Sequence, residues 1–341
     1  MLTDLFQINF QGIEFHPIIM ALLGIDLGGT KLALAIFTED GKIIFKESFA
    51  LGNRKGSEVG KLITEKTAKF IHYGELQGNQ INSIGVSVPG ISHFNTGTVW
   101  APNIPDWNDY PLLHEMKEIN NNIPVTIDSD RACYILGESW KGNAQGCRDA
   151  IFLSVGTGIG AGILINGEIL RGCNDIAGCI GWMALQRPFE KKYKSCGCFE
   201  HYASGEGIAK VTREFLKDQK DYAGELKSKH FEKITSYDVF TAYDNGDMLA
   251  VKVIQLCVEF WGMAVANLVS LFNPEKIIMG GGVFGPAIPL IPAIKKEAAR
   301  WAQPISINKV SIDSSGLAGD AGVYGAGFLA YKQLPGINIS A

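Results

Sequence analysis

Two glycine-rich segments hold the residues of this chain best suited to chemistry. Asp26-Leu27-Gly28-Gly29-Thr30-Lys31 sets a carboxylate, two glycines, a hydroxyl and a cation side by side. Backbone N–H groups cradle phosphate oxygens, and glycine, lacking Cβ, lets the backbone come close enough to do so. Asp26 is of the type that orients hydrated Mg²⁺. Gly156-Thr157-Gly158 offers a second such loop, and two loops facing one another would hold a β/γ-phosphate pair. Either loop alone reads equally well as a tight hairpin. A hairpin, however, needs neither Asp26 nor the repeated Gly-Thr. Gly280-Gly281-Gly282 follows the strand-like Lys276–Met279 and either presents bare backbone to an adenine or ribose or makes a plain strand-to-helix turn.

The elements that must position these loops form a repeat. Residues 22–45 read as an apolar run, the Gly-Gly-Thr turn, an alternating run, a turn at Asp40-Gly41 and another alternating run. Residues 151–170 repeat the plan, with Gly-Thr-Gly and then Asn166-Gly167 at the turns. Asp-Gly and Asn-Gly between β-rich runs signal hairpins. Each half therefore opens with three strands, which predicts duplicated α/β domains facing across a cleft. Gly156 to Ala161 also satisfies G-x-G-x-x-A, but GILINGEIL follows as a strand and hairpin, with no helix for a pyrophosphate to cap. Helical spacing marks residues 57–76, the segment from Ala132 after PVTIDSD, 247–272 up to Asn273-Pro274, and 319–332, the last capped by Asp320 or its predecessor. Residues 217–236, rich in Lys, Asp and Glu, read as a solvated helical region with a loop.

With 341 residues, 46% of them hydrophobic, the chain has material for two cores. A formal net charge of −4 gives no reason to expect nucleic acid or an anionic membrane surface as a partner. No apolar run is expected to reach the ~18–20 residues that span a bilayer. Residues 1–20 lack a basic n-region and read as an extension rather than a signal peptide. Seven scattered cysteines point to reduced thiols in a cytoplasmic protein, with Cys133 and Cys257 in the core.

Seven segments, in order, resemble the ROK family of sugar kinases and sugar-responsive repressors. They are GIDLGGTK (24–31), SVPG (87–90), APNIPDW (101–107), IDSDRACYILGE (127–138), SVGTGIGAGILINGEILRG (154–172), GCFEHYASG (197–205) and NPEKIIMGGGV (273–283). The resemblance covers nearly all of residues 21–332. It implies the actin-like ATPase (ribonuclease H-like) fold: duplicated α/β domains, ATP and Mg²⁺ between them, a sugar deep in the central cleft, and a homodimer. Residues 21–128 would form the first domain, with the last helix (319–333) packing back on it, and 129–318 the second. The family's E-N-D-A-N reads Asp128-Ser129-Asp130-Arg131-Ala132 here, which places the catalytic base at Asp130. A carboxylate there can take the proton of a sugar hydroxyl as the γ-phosphoryl arrives, although on pattern alone Asp128 or Asp130 could be a helix N-cap. Asn103, Gly90 and Glu200 match sugar-binding positions, and Trp107 is a candidate pocket wall or a core aromatic. The repressors of the family carry a winged helix ahead of the first glycine loop, and 25 residues before Asp26 leave no room for it.

The match breaks at one place. Where the family reads G-E-[IL]-G-H, this chain reads Gly178-Cys179-Ile180-Gly181-Trp182, and of the family's zinc ligands only Cys198 remains. Zinc is therefore not expected, a replacement set of Cys179, Cys196, Cys198 and His201 being the alternative. Trp182 would stack on a pyranose face with a single N–H donor, so the preferred sugar should differ from glucose. The expected function is phosphorylation of a hexose or N-acetylhexosamine hydroxyl, the alternative being a sugar-binding sensor without catalysis.

Overall fold

The computed structural model describes residues 19–218 and 221–337, so most of the expected extension 1–20 lies outside the described residues. The first half runs β1 (Ile19–Leu27), β2 (Lys31–Thr38), β3 (Ile43–Ala50), α1 (Ser57–Leu76), β4 (Asn79–Val88), β5 (Ile91–Ser92), β6 (Val99–Trp100), α2 (Leu112–Ile119) and β7 (Val125–Ser129). Its sheet has the order β3-β2-β1-β4-β7, antiparallel across the hairpins and parallel from β1 to β4 to β7. α3 (Asp130–Lys141) follows β7 without a break.

The second half repeats the plan with β8 (Ala150–Val155), β9 (Ile159–Ile165) and β10 (Glu168–Ile169). It continues through α4 (Cys198–Ala203), α5 (Gly205–Asp218), α6 (Ser236–Asp244), α7 (Met248–Phe272), β11 (Lys276–Gly280), α8 (Ile291–Ala298), α9 (Pro304–Lys309), β12 (Ser311–Ser314) and α10 (Ala321–Tyr331). The sheet order β10-β9-β8-β11-β12 mirrors the first, again with antiparallel hairpins and parallel inner strands. The Asn166-Gly167 turn has φ of 51° and 81°, the mirror-image geometry that suits a right-twisted hairpin.

α7 has Asp247 as its N-cap, accepting from Leu249 and Ala250 N–H, and ends at Asn273 in the left-handed region. Contrary to the sequence expectation, this 25-residue helix is long and apolar enough to cross a membrane. In the fold it is the spine of the second core, with Cys257, Trp261 and Val265 fully buried. The region expected to be solvated and helical instead holds two short 3₁₀ turns, Glu225–Ser228 and Phe231–Lys233.

α10 packs on β1 and β4 of the first sheet and also on α3. The two helices touch through glycines: a Cβ on Gly325 would run into the Cys133 carbonyl, and one on Gly137 into that of Ala321. Asp320 stands at the N-cap position but makes no side-chain cap bond, because its carboxylate pairs with Lys46 at 2.5 Å.

Candidate active site

Both glycine loops close as hairpin turns between antiparallel strands. Gly28 N–H donates to the Lys31 carbonyl at 2.8 Å, and Gly156 N–H to that of Gly158 at 2.9 Å. Asp26, one residue from the end of β1, accepts from the Ser87 hydroxyl of β4 at 2.7 Å. The first turn of α10 lies behind its carboxylate, where a Cβ on Gly322 would come within 2.5 Å of Oδ1. Burial pushes the Asp26 carboxyl up, opposed by the Ser87 bond and by Lys31.

Ser129 is the N-cap of α3, its hydroxyl accepting from Ala132 N–H at 3.3 Å. That removes the capping role which the pattern alone allowed to Asp128 or Asp130. Asp130 is the first residue of the helix, and its Oδ1 accepts from Arg131 N–H at 2.7 Å. Burial raises its carboxyl to about 6, against the opposing charge of Arg131, with Asp26 adding to the rise. Asp128 instead is buried and ion-paired with Arg171, which comes from the second half just beyond β10.

Asp130 lines a cleft of about 510 Å³ together with Gly28 and Gly29 from the first loop and Gly156, Thr157 and Gly158 from the second. Gly90, Asn103, Trp182 and Glu200 line the same cleft. Gly90 has φ 90° and its Cα faces the Trp100 carbonyl, so no side chain fits there. Glu200, in the first turn of α4, accepts from Ile159 N–H at 2.7 Å, and burial raises its carboxyl. Trp182 is 58% exposed at the rim. A second cleft of about 710 Å³ is lined by Gly282, Val283, Ser236 and Tyr237. The two clefts share Gly156, Thr157 and Glu206.

Other sequence candidates stand apart. Asp26, Thr30 and Lys31 lie outside both cleft linings, Thr30 and Lys31 exposed beside the first loop. Of the three glycines that end β11 and follow it only Gly282 lines a cleft; Gly280 packs under the Phe152 ring and Gly281 against the Val155 backbone. Trp107 is a core residue, 1% exposed, stacked on Tyr110 and donating to the Gly56 carbonyl at 3.0 Å.

The replacement zinc set does not fit a metal. Cys179 and Cys196 line the cleft, whereas Cys198 and His201 are buried. Among the described residues no group of three or more His, Cys, Asp or Glu side chains is placed to hold one.

Sequence reasoning missed Trp100, Tyr134, Glu206, Lys210 and Arg131, which also line the cleft. Tyr134 had a usable signal, since it lies one helical turn after Asp130. Arg131 had another, standing where the quoted family pattern has alanine.

The ROK family sequence model matches residues 22–333. The chain belongs to the ROK family. A glucokinase of Halalkalibacterium halodurans is 34% identical to this ROK protein over 319 residues, 91% of this chain and 95% of that one. A xylose repressor of Caldicellulosiruptor bescii is 32% identical over 274 residues, 79% of this chain and 67% of the repressor. A Streptomyces griseus ROK glucokinase, solved in complex with glucose and AMPPNP, superposes with a TM-score of 0.73 at 27% identity, covering 92% of this chain and 99% of that one. These ROK structures give the chain the actin-like ATPase fold.

Proposed function

We propose that this ROK protein is a sugar kinase that transfers the γ-phosphoryl group of ATP to a sugar hydroxyl, with Asp130 as the general base. One observation carries the reading: Asp130, both glycine loops, Asn103 and Glu200 line a single cleft. Relatives named glucokinase and N-acetyl-D-glucosamine kinase, matching over 90% or more of this chain, agree with it.

The chemistry follows from the residues. An ionised Asp130 accepts the proton of the attacking hydroxyl, and its raised carboxyl makes it a stronger base than a solvated aspartate. Asn103 and the backbone at Gly90 face the sugar, and Glu200 meets its far end. With Gly28 and Gly156 N–H engaged inside the turns, the amides of Gly29 and Thr157, which line the cleft, are the donors for the transferring group, in a cleft from which bound substrates exclude water. ATP lies along the second cleft, its base against Gly282 and Tyr237 and its phosphates at the shared Gly156-Thr157 turn. Asp26, with Oδ1 engaged by Ser87, has Oδ2 for a water of hydrated Mg²⁺. When bound, the cation would neutralise charge on the phosphates. The proposed domains are 21–128 with α10, and 129–318; a homodimer in the cytoplasm completes the reading.

The second reading is a sugar-binding regulator without turnover, favoured by Cys179 and Trp182 in the cleft. A coupled ADP-release assay with Mg-ATP and a panel of sugars separates the two. Sugar-dependent turnover that disappears in Asp130→Asn supports the kinase; binding without turnover supports the regulator.

A further inference from the structure

Arg131 is left without a strong partner. Nη1 donates to Cys179 Sγ at 3.6 Å, a weak acceptor, while Nε and Nη2 are buried and make no hydrogen bond. No carboxylate among the described residues pairs with it within salt-bridge distance, although Asp130 is its chain neighbour. Its stem crosses Gly160, where a Cβ would come within 2.7 Å of Cδ. A cation lining the cleft with two idle donors is a costly arrangement unless something else supplies the anion.

Nε–H and one N–H of Nη2 lie along one edge of the planar guanidinium, the side-on fork that matches both oxygens of a carboxylate. The thiol contact is the one side-chain hydrogen bond of the head, and Arg131 lines the cleft, so a bound anion need only draw the buried fork edge round toward it. Cys179 is consistent with this: a glutamate at that position, as in the family pattern, would pair with the guanidinium and cancel it. Asp130, Glu200 and Glu206 also line the cleft, with Lys210 as the other cation. An anionic substituent therefore finds its favourable place on the Arg131 side.

We propose that the sugar taken by this cleft carries a carboxylate, held by the Nε and Nη2 edge of Arg131. The inference rests on the sugar-kinase reading for its cleft, and Arg131 is its specificity-determining residue.

Calorimetric binding and ADP release, both on the full chain, test it. The probes are D-glucuronate, N-acetylneuraminate and the carboxyethyl ether of N-acetylglucosamine, beside glucose and N-acetylglucosamine. We expect at least one acid to bind about 10- to 100-fold more tightly than the neutral sugars, the range for a hydrogen bond to a charged group. Arg131→Met, which keeps an unbranched stem over Gly160, should remove that preference, and Arg131→Lys should keep part of it. The inference is overturned if the neutral sugars bind the wild type as tightly as every acid. It is equally overturned if Arg131→Met weakens acids and neutral sugars by the same factor. An acid that binds through Arg131 yet releases no ADP sinks the kinase reading alone; neutral sugars phosphorylated with no preference for acids sink this inference alone.

Discussion

Ile159 N–H donates to Glu200 Oε2 at 2.7 Å, so one carboxylate ties the strand after the second glycine loop to the start of α4. A residue matched to sugar binding thus also fixes the phosphate side of the cleft. Glu200→Ala should raise KM for ATP as well as for sugar and lower stability by about 1–2 kcal/mol. Glu200→Gln retains an oxygen acceptor and should recover most of the ATP effect but less of the sugar effect. Steady-state kinetics with each substrate varied in turn checks both.

Asp130→Asn should lower kcat by about 10²- to 10⁴-fold, the usual worth of a general base, with sugar binding retained in calorimetry. In the wild type kcat/KM should rise with pH through about 6, where the carboxyl loses its proton. The stability consequence has the opposite sense. The folded-state carboxyl sits above its unfolded value, so its favourable contribution is complete below about 4 and lost as pH rises through about 6. Asp130→Asn should therefore raise Tm relative to wild type more at pH 8 than at pH 4.

Arg171→Met strands the buried Asp128 carboxylate at the junction of the two halves. Breaking such a pair costs about 3 kcal/mol, and the partial exposure of Arg171 places the expected loss at the low end. Urea unfolding of Arg171→Met beside Arg171→Met/Asp128→Asn should show the second change restoring part of the loss.

Gly325→Ala puts a methyl group into the Cys133 carbonyl where α10 crosses α3. Overpacking of this kind costs about 1–3 kcal/mol. Because α3 carries Asp130 at its head, kcat should fall with stability, whereas a methyl group at Gly319, where nothing lies within 4 Å of an added Cβ, should change neither.

Trp182 is exposed at the cleft rim and outside both cores. Trp182→Ala should leave Tm within about 1 °C, since exposed positions shift stability by no more than about 0.5 kcal/mol. Sugar KM should rise by roughly 10-fold as a stacking face is lost. Indole fluorescence that changes on sugar addition in the wild type, and less in the variant, provides the direct readout.

Local chemistry made much of this fold legible. Asp40-Gly41 and Asn166-Gly167 mark turns because few other pairs adopt their backbone, and the paired loops exposed the duplication. The long helix ending at Asn273 was equally plain. Three things were not. Ser129 takes the cap from its aspartate neighbours because it is the last residue in extended backbone before α3, with its hydroxyl reaching Ala132 N–H. Trp107 goes inward because Gly56 and Tyr110, distant in sequence, complete its surroundings. The role of Arg131 depends on Gly160, distant in sequence, whose missing side chain leaves room for its stem.

The placement of α10 bears on how the protein is made. One face of the first sheet stays bare until residues 321–331 leave the ribosome, although β1, β4 and β7 are among the earliest segments translated. The nascent chain must carry that sticky surface through the synthesis of the whole second half, which invites a holding chaperone and sequence-distant, slow closure. Assembly of the cleft is thus tied to the synthesis of α10, and Asp26 gains its backing helix only after the second half has been made.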